Sequence, residues 1–172
     1  MEQKKLLAEE FEITKGEGTL AIDLGNSTTV VAFQEELDPK VHLLNLPPIT
    51  REKGEIPSLI WSSTDTPPYQ LIGQQVSILE TSKKTHSNVI SDFKRWICSP
   101  DKSIMQHSSI SPEKAGEILI NGIWDHLPKN LRIKRLVLTA PVETYKEYRS
   151  WLIKVCSELP VDEIALVDEP TA

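Results

Sequence analysis

The apolar run Leu136-Val137-Leu138-Thr139-Ala140, stopped by Pro141, constrains the fold more than any other stretch of this chain. An unbroken run of this length suits a strand covered on both faces of a sheet. A helix is expected next. Thr144 and Glu147 form a capping box, and Tyr145, Tyr148, Leu152 and Val155 recur at helical spacing. Ile164-Ala165-Leu166-Val167 then reads as a final buried strand, ending in Asp168-Glu169-Pro170. Strand, helix and strand over residues 136–167 make a βαβ unit.

The first half is less regular. Residues 1–18 read as an amphipathic lead-in ending at Gly16 and Gly18. Two strands follow, 19–23 and 28–34, and then a strand at Val41–Asn45 with a loop around Leu46-Pro47-Pro48. Ile56–Trp61 reads as one strand with Pro57 near its start, where a missing N–H does least harm. Thr66-Pro67-Pro68 marks a turn, Tyr69–Ile72 a short apolar piece closed by Gly73, and residues 74–81 a short helix. A second helix starts at Ser111-Pro112-Glu113, a capping hydroxyl followed by proline at the first helical position. Its apolar face is Ala115, Ile118, Leu119 and Ile123, and Pro128 closes it. An antiparallel meander joined to a βαβ unit gives a mixed α/β architecture. The chain stops at Thr171-Ala172, directly after a strand where a helix should begin, so a fragment is expected.

Composition narrows the function classes. With 172 residues, 39% hydrophobic and 26% charged, the chain has the make-up of a globular domain with a core of its own. A net charge of −6 and no basic block argue against a nucleic-acid surface. Cys98 and Cys156 form no CxxC pair and read as reduced thiols. His42, His86, His107 and His126 have no ligand spacing, so no zinc site is expected. The charged N-terminus is no signal peptide, and no run is long enough to span a membrane. A cytoplasmic location is the expectation, with neither nucleic acid nor membrane as partner.

The candidate chemistry lies in the turn Asp23-Leu24-Gly25-Asn26-Ser27-Thr28. A tight turn with Gly25 and small neighbours can aim several backbone N–H groups into one concavity, which suits a phosphate. Ser27 and Thr28 add hydroxyl donors. Asp23 would meet the Mg²⁺ that accompanies a triphosphate, through water, because Mg²⁺ dehydrates reluctantly. A plain hairpin would also use Asp, Asn and Gly, so the turn alone leaves both readings open. No GxxxxGK[ST] loop, GxGxxG, GxSxG or HExxH is present.

Several stretches in order carry a family resemblance. Asp23-Leu24-Gly25-Asn26-Ser27 resembles the first phosphate motif of actin-like ATPases, and most that of the seventy-kilodalton heat-shock (DnaK-type) chaperones. Ile56-Pro57-Ser58-Leu59-Ile60 is similar to that family's threonine-proline-serine strand, and Leu71-Ile72-Gly73 to its "LIG" segment. Asp92-Phe93-Lys94-Arg95-Trp96-Ile97 resembles "DAKRLIG". Val137–Pro141 and Asp168–Ala172 resemble "VVTVPA" and "NEPTAA". The resemblance spans about residues 19–172. It implies a ribonuclease-H-like (actin-like ATPase) fold, with a mixed sheet, flanking helices and only the first lobe present. The outer subdomain, about 40–135, would be trimmed.

The resemblance also implies roles. Gly25, Asn26 and Ser27 would hold the β- and γ-phosphates of ATP or ADP, and Asp23 would face the Mg²⁺ shell. Lys94 would contact the γ-phosphate and the attacking water; Glu169 would orient that water or the metal shell. Pro141 would signal nucleotide state, with Arg95 beside the site. The implied partners are a C-terminal lobe, a peptide-binding domain, co-chaperones and unfolded client proteins. Asn26 and Ser27 stand where the family carries two threonines, and Asp168 where it has asparagine. ATP hydrolysis in the complete protein is therefore expected to be slow, and the fragment alone inactive. An actin-like filament subunit, a small-molecule kinase of the superfamily and a catalytically silent ATP-binding module remain alternatives.

Overall fold

The computed structural model describes residues 15–81, 88–100, 110–141 and 145–169. Its main element is a mixed sheet flanked by helices. The strands are β1 (Lys15–Asp23), β2 (Thr28–Glu35), β3 (Val41–Leu43) and β4 (Glu55–Pro57), then β8 (Asn130–Ala140) and β9 (Glu163–Asp168). They lie in the order β3-β2-β1-β8-β9, with β4 also paired to β2. β1 runs antiparallel to β2 but parallel to β8, and β8 runs parallel to β9. The three parallel strands therefore end at one edge of the sheet. The turn between β1 and β2 lies at that same edge.

A smaller antiparallel sheet holds β5 (Ile60–Ser62), β6 (Gln70–Ile72) and β7 (Val89–Ile90), in the order β6-β5-β7. Helix α1 (Gln74–Thr81) follows β6, at the expected residues. Helix α2 (Pro112–Asp125) begins as the sequence specifies, with the Ser111 hydroxyl accepting from the Lys114 N–H at 3.2 Å. Its expected face, Ala115, Ile118, Leu119 and Ile123, is buried. Helix α3 (Tyr145–Cys156) buries Tyr148 and Leu152. Thr144, the expected cap, and the Tyr145 side chain lie outside the described residues. Gly116 sets how closely α3 can approach α2, because a Cβ there would stand 2.6 Å from the Trp151 ring. One core joins Leu20, Ile22, Phe33, Leu136 and Leu138 of the sheet to Ile118 and Leu119 of α2.

Several boundaries differ from the sequence reading. β1 starts at Lys15, so residues 15–18 belong to the sheet rather than to a lead-in. β8 likewise starts at Asn130, well before the apolar run. The extra lengths pair with each other and carry charge. Lys134 Nζ meets Glu17 at 2.6 Å and Glu36 at 2.8 Å, and Arg132 meets Glu17 at 3.4 Å. Strands whose ends project beyond the core need no apolar alternation there. Ile56–Trp61 is two strands, not one: β4 joins the main sheet and β5 the smaller one. The break falls at Ser58-Leu59, where the Ser58 N–H turns to the Ser27 carbonyl at 2.9 Å and that of Leu59 to Pro57 at 2.7 Å. β9 is half-buried rather than buried, with Val167 52% exposed, because it pairs on one side only among the described residues. The strand expected at Val41–Asn45 ends at Leu43.

The hydrogen bond from Lys134 holds the Glu17 carboxyl below its usual 4.5, with burial opposing. A lowered carboxylate stabilises the fold above that pH, and the contribution is lost as pH falls below it. The thermal midpoint of the wild-type chain should therefore fall more steeply as pH drops below about 4.5 than that of Lys134→Met. Parallel pH profiles for the two proteins would contradict the assignment.

Candidate functional site

The carboxyl ends of β1, β8 and β9 bring Asp23, Thr139 and Glu169 to one edge. Ligands of sheets with parallel strands bind beyond that edge. The Thr139 hydroxyl donates to Asp23 Oδ1 at 2.7 Å, across 116 positions of sequence. This contact fixes the carboxylate while leaving Asp23 exposed. The Glu169 N–H donates to the Ala140 carbonyl at 2.9 Å, which extends the β8–β9 pairing by one step and sets where Glu169 points.

Lys94 arrives from the other side of the site. It sits in a 3-10 turn, Phe93–Trp96, anchored by Phe93 and by Ile97 just after it, both buried. With those two side chains inward, Lys94 Nζ meets Glu169 Oε1 at 2.5 Å. The lysine side chain is 11% exposed and the glutamate 27%. Lys94 is thus no solvated surface charge. A pair this far from water gains more from its charges than an exposed one, although shedding water offsets part of that gain. Arg95 is exposed and lies over the Trp96 ring at 6.0 Å.

The turn between β1 and β2 is held from beneath. Leu24 inserts into the core. The buried Ser58 hydroxyl donates to the Gly25 carbonyl at 2.8 Å and shares a 2.9 Å contact with the Thr29 hydroxyl. Since Ser58 has one proton, Thr29 supplies the donor in that second bond. Gly25 is required by the turn itself, because a Cβ there would lie 2.0 Å from the Thr28 carbonyl oxygen. Asn26 and Ser27 are exposed. Their N–H groups have no partner among the described residues. A rigid turn presenting unpartnered donors to solvent is what an anion needs.

Fit to Mg²⁺ rests on the donor set. No three His, Cys, Asp or Glu side chains converge into a metal cage among the described residues. Mg²⁺ commonly keeps most of its waters and uses one or two carboxylates with substrate phosphates, and a single oriented carboxylate such as Asp23 suits that mode. Glu169, neutralised by Lys94, is the second carboxylate of the edge.

Tyr148 is the largest fully buried side chain of the core. Its side chain is fully buried under α3, edge-on to Trp151 at 5.2 Å, and its hydroxyl has no hydrogen-bond partner among the described residues. Burial pushes this phenol well above its usual range, and the charges of Glu169, Cys98 and Asp23 push it further.

The structure thus brings Lys94 and Glu169 together, sets Asp23 at the same edge with β8 between its strand and β9, and exposes Asn26 and Ser27 on a braced turn. No hydrogen bond among the described residues joins that turn to the Lys94–Glu169 pair. Three supporting residues escape the sequence reading of the site: Thr29, Ser58 and Thr139. Ser58 and Thr139 do leave a signal, a lone hydroxyl within an apolar run. No protein-family model matches the chain, and no curated protein matches it. No helix among the described residues is long and apolar enough to cross a membrane.

Ser58→Ala should remove the brace on Gly25 and leave the buried Thr29 hydroxyl without its acceptor. The expected cost is about 1–3 kcal/mol in urea unfolding. Amide exchange should accelerate at Asn26 to Thr28. Unchanged exchange there would show that the turn holds its shape without Ser58.

Proposed function

We propose that this chain is the N-terminal lobe of an actin-like ATPase domain of the seventy-kilodalton heat-shock-chaperone type, gripping the phosphates of Mg·ATP. The observation that carries the reading is the Lys94–Glu169 ion pair at the carboxyl edge of the parallel strands. These residues lie 75 positions apart. Each stands in a different sequence motif, and they meet at the sheet edge that also carries Asp23. The strand order, with antiparallel β2 and β1 followed by parallel β8 and β9, supports the ribonuclease-H-like part of the reading.

The residues divide the work of phosphoryl transfer as that chemistry demands, which is charge neutralisation and positioning of a nucleophile. The N–H groups of Asn26 and Ser27 and the Ser27 hydroxyl bind phosphate oxygens. Gly25 keeps the turn tight enough to present them. Asp23, oriented by Thr139, would be the carboxylate that holds Mg²⁺. The ion supplies charge neutralisation on the phosphates when bound. Lys94 brings positive charge to the γ-phosphate side, and Glu169 accepts a hydrogen bond from the attacking water and so orients it. Nucleotide state would then control a partner peptide-binding domain acting on unfolded clients with co-chaperones, in the cytoplasm.

A catalytically silent ATP-binding module is the second reading. It is favoured by the Lys94–Glu169 contact itself, since the two groups satisfy each other, and by Asn26, which offers a carboxamide where a hydroxyl is expected.

Isothermal titration separates the readings from no function at all. Mg·ATP should bind this chain weakly and a chain extended past residue 172 tightly. Asp23→Asn should abolish the advantage of Mg·ATP over free ATP, and Lys94→Ala should weaken binding about tenfold, the loss of one charge-assisted contact. Equal binding by both chain lengths, or none by either, refutes the split-cleft reading. Phosphate release by the extended chain, lost in Lys94→Ala, separates the enzyme from the silent module.

A further inference from the structure

Lys94 owes its place at the sheet edge to a short turn whose two boundaries are unusual. Asp92 before it and Cys98 just beyond it both have positive φ, 52° and 59°. Aspartate tolerates the left-handed region, whereas cysteine bears the full steric cost of its Cβ there. Such a conformation persists only where the surroundings hold it. The hold comes from α2. The Cys98 N–H donates to Glu113 Oε1 at 3.0 Å. The N–H groups on either side of it close back onto the turn, Ile97 on the Lys94 carbonyl and Ser99 on the Trp96 carbonyl, each at 3.1 Å. A second contact lies one turn further along α2. A Cβ on Gly116 would stand 3.1 Å from Ile97 Cδ1, so the buried Ile97 side chain seats on the helix backbone. Residues three apart are neighbours on a helix surface. Glu113 and Gly116 therefore meet consecutive residues, Cys98 and Ile97. A glutamate in the first turn of a helix is ordinarily explained by the positive end of that helix. Here its carboxylate also engages a donor outside the helix.

We propose that Glu113 is a positioning residue for Lys94, acting through the Cys98 N–H to hold the Phe93–Trp96 turn against α2. With Ile97 and Cys98 fixed on the helix, the Lys94 side chain is delivered to Glu169. α2 in turn packs on the sheet through Ile118 and Leu119, so helix, turn and sheet edge hold one another. The contact needs nothing from the nucleotide reading; only its bearing on the γ-phosphate rests on that reading.

The test is pulse acylation of the 172-residue chain with acetic anhydride, read at each lysine by peptide mass spectrometry. Lys134, paired with Glu17 and Glu36, is the internal reference, because it reports global opening and not release of the turn. Two conservative variants separate the contact from the helix charge. Glu113→Gln keeps the reach and an acceptor oxygen but loses the charge. Glu113→Asp keeps the charge but is one methylene too short. If Glu113 positions Lys94, Glu113→Asp raises the Lys94 rate about tenfold relative to Lys134, the loss of one charge-assisted contact. Glu113→Gln should then raise it by less than about threefold, since a neutral acceptor keeps part of the bond. An effect in Glu113→Gln as large as that in Glu113→Asp assigns the glutamate to the helix end and overturns the proposal. An unchanged ratio in Glu113→Asp, or equal acceleration of Lys94 and Lys134, overturns it too. The labelling uses no nucleotide, so a failure of Mg·ATP binding in the titrations above refutes the nucleotide reading alone.

Discussion

Parallel pairing of β1 with β8 is the contact on which the rest of the structure depends. It joins the beginning of the described chain to a strand more than a hundred residues later, with a register running from Lys15 opposite Asn130 to Ile22 opposite Leu138. Contacts this distant in sequence are costly to form, because the intervening loop must close first. The reward comes from the fully buried Leu20, Leu136 and Leu138. At roughly 1.5–3 kcal/mol for each side chain fully removed from water, a few such residues offset the closure cost. Once this pairing exists, the ends of β1 and β8 coincide, and β9 adds its own end beside them. The polar edge is a by-product of the apolar registration behind it.

That dependence explains the layout of the polar residues. None of the groups at the edge lies on a long flexible loop. Asp23 ends a strand, Thr139 sits one residue short of a strand end, and Glu169 follows a strand by one residue. Lys94 rides on a 3-10 turn anchored by Phe93 and Ile97. The turn at Gly25–Ser27 is equally constrained, because Ser58 grips its carbonyl from the point where the chain leaves one sheet for the other. One serine therefore terminates β4, redirects the chain into β5 and braces the turn.

The parts of this arrangement visible in sequence follow from local physics. The βαβ unit, the capped start of α2 and the apolar face of that helix are legible because periodicity and caps act over a few residues. Asp23 is suggested by its place in the turn, whereas Lys94 and Glu169 are legible only through resemblance, since nothing local distinguishes a part-buried lysine from a solvated one. The outer halves of β1 and β8 are hidden because their stability comes from cross-strand charges, Glu17 against Lys134 and Arg132, rather than from an apolar stripe. The split after Pro57 is hidden because strand propensity runs unbroken from Ile56 to Trp61. Only the tertiary pull of Ser27 and Gly25 on Ser58 ends the first strand. The half-buried state of β9 is hidden for a related reason: an apolar run records what a strand can bury, not what covers it.

The flank of β9 that is unpaired among the described residues has a consequence for how copies of this chain meet one another. A strand edge with free backbone groups is a template for pairing with another chain. Here the strand is short and carries Glu163 and Asp168 at its two ends, both exposed. Two such edges approaching each other bring carboxylates together, and a net charge of −6 adds repulsion over the whole surface. That protection is electrostatic and therefore conditional. Near the isoelectric point of 5.3 the overall repulsion vanishes, and salt shortens the reach of what remains. In mildly acidic, salty solution the edge of β9 thus keeps less protection against pairing with another copy than it has at neutral pH and low salt, independently of how well the core is packed.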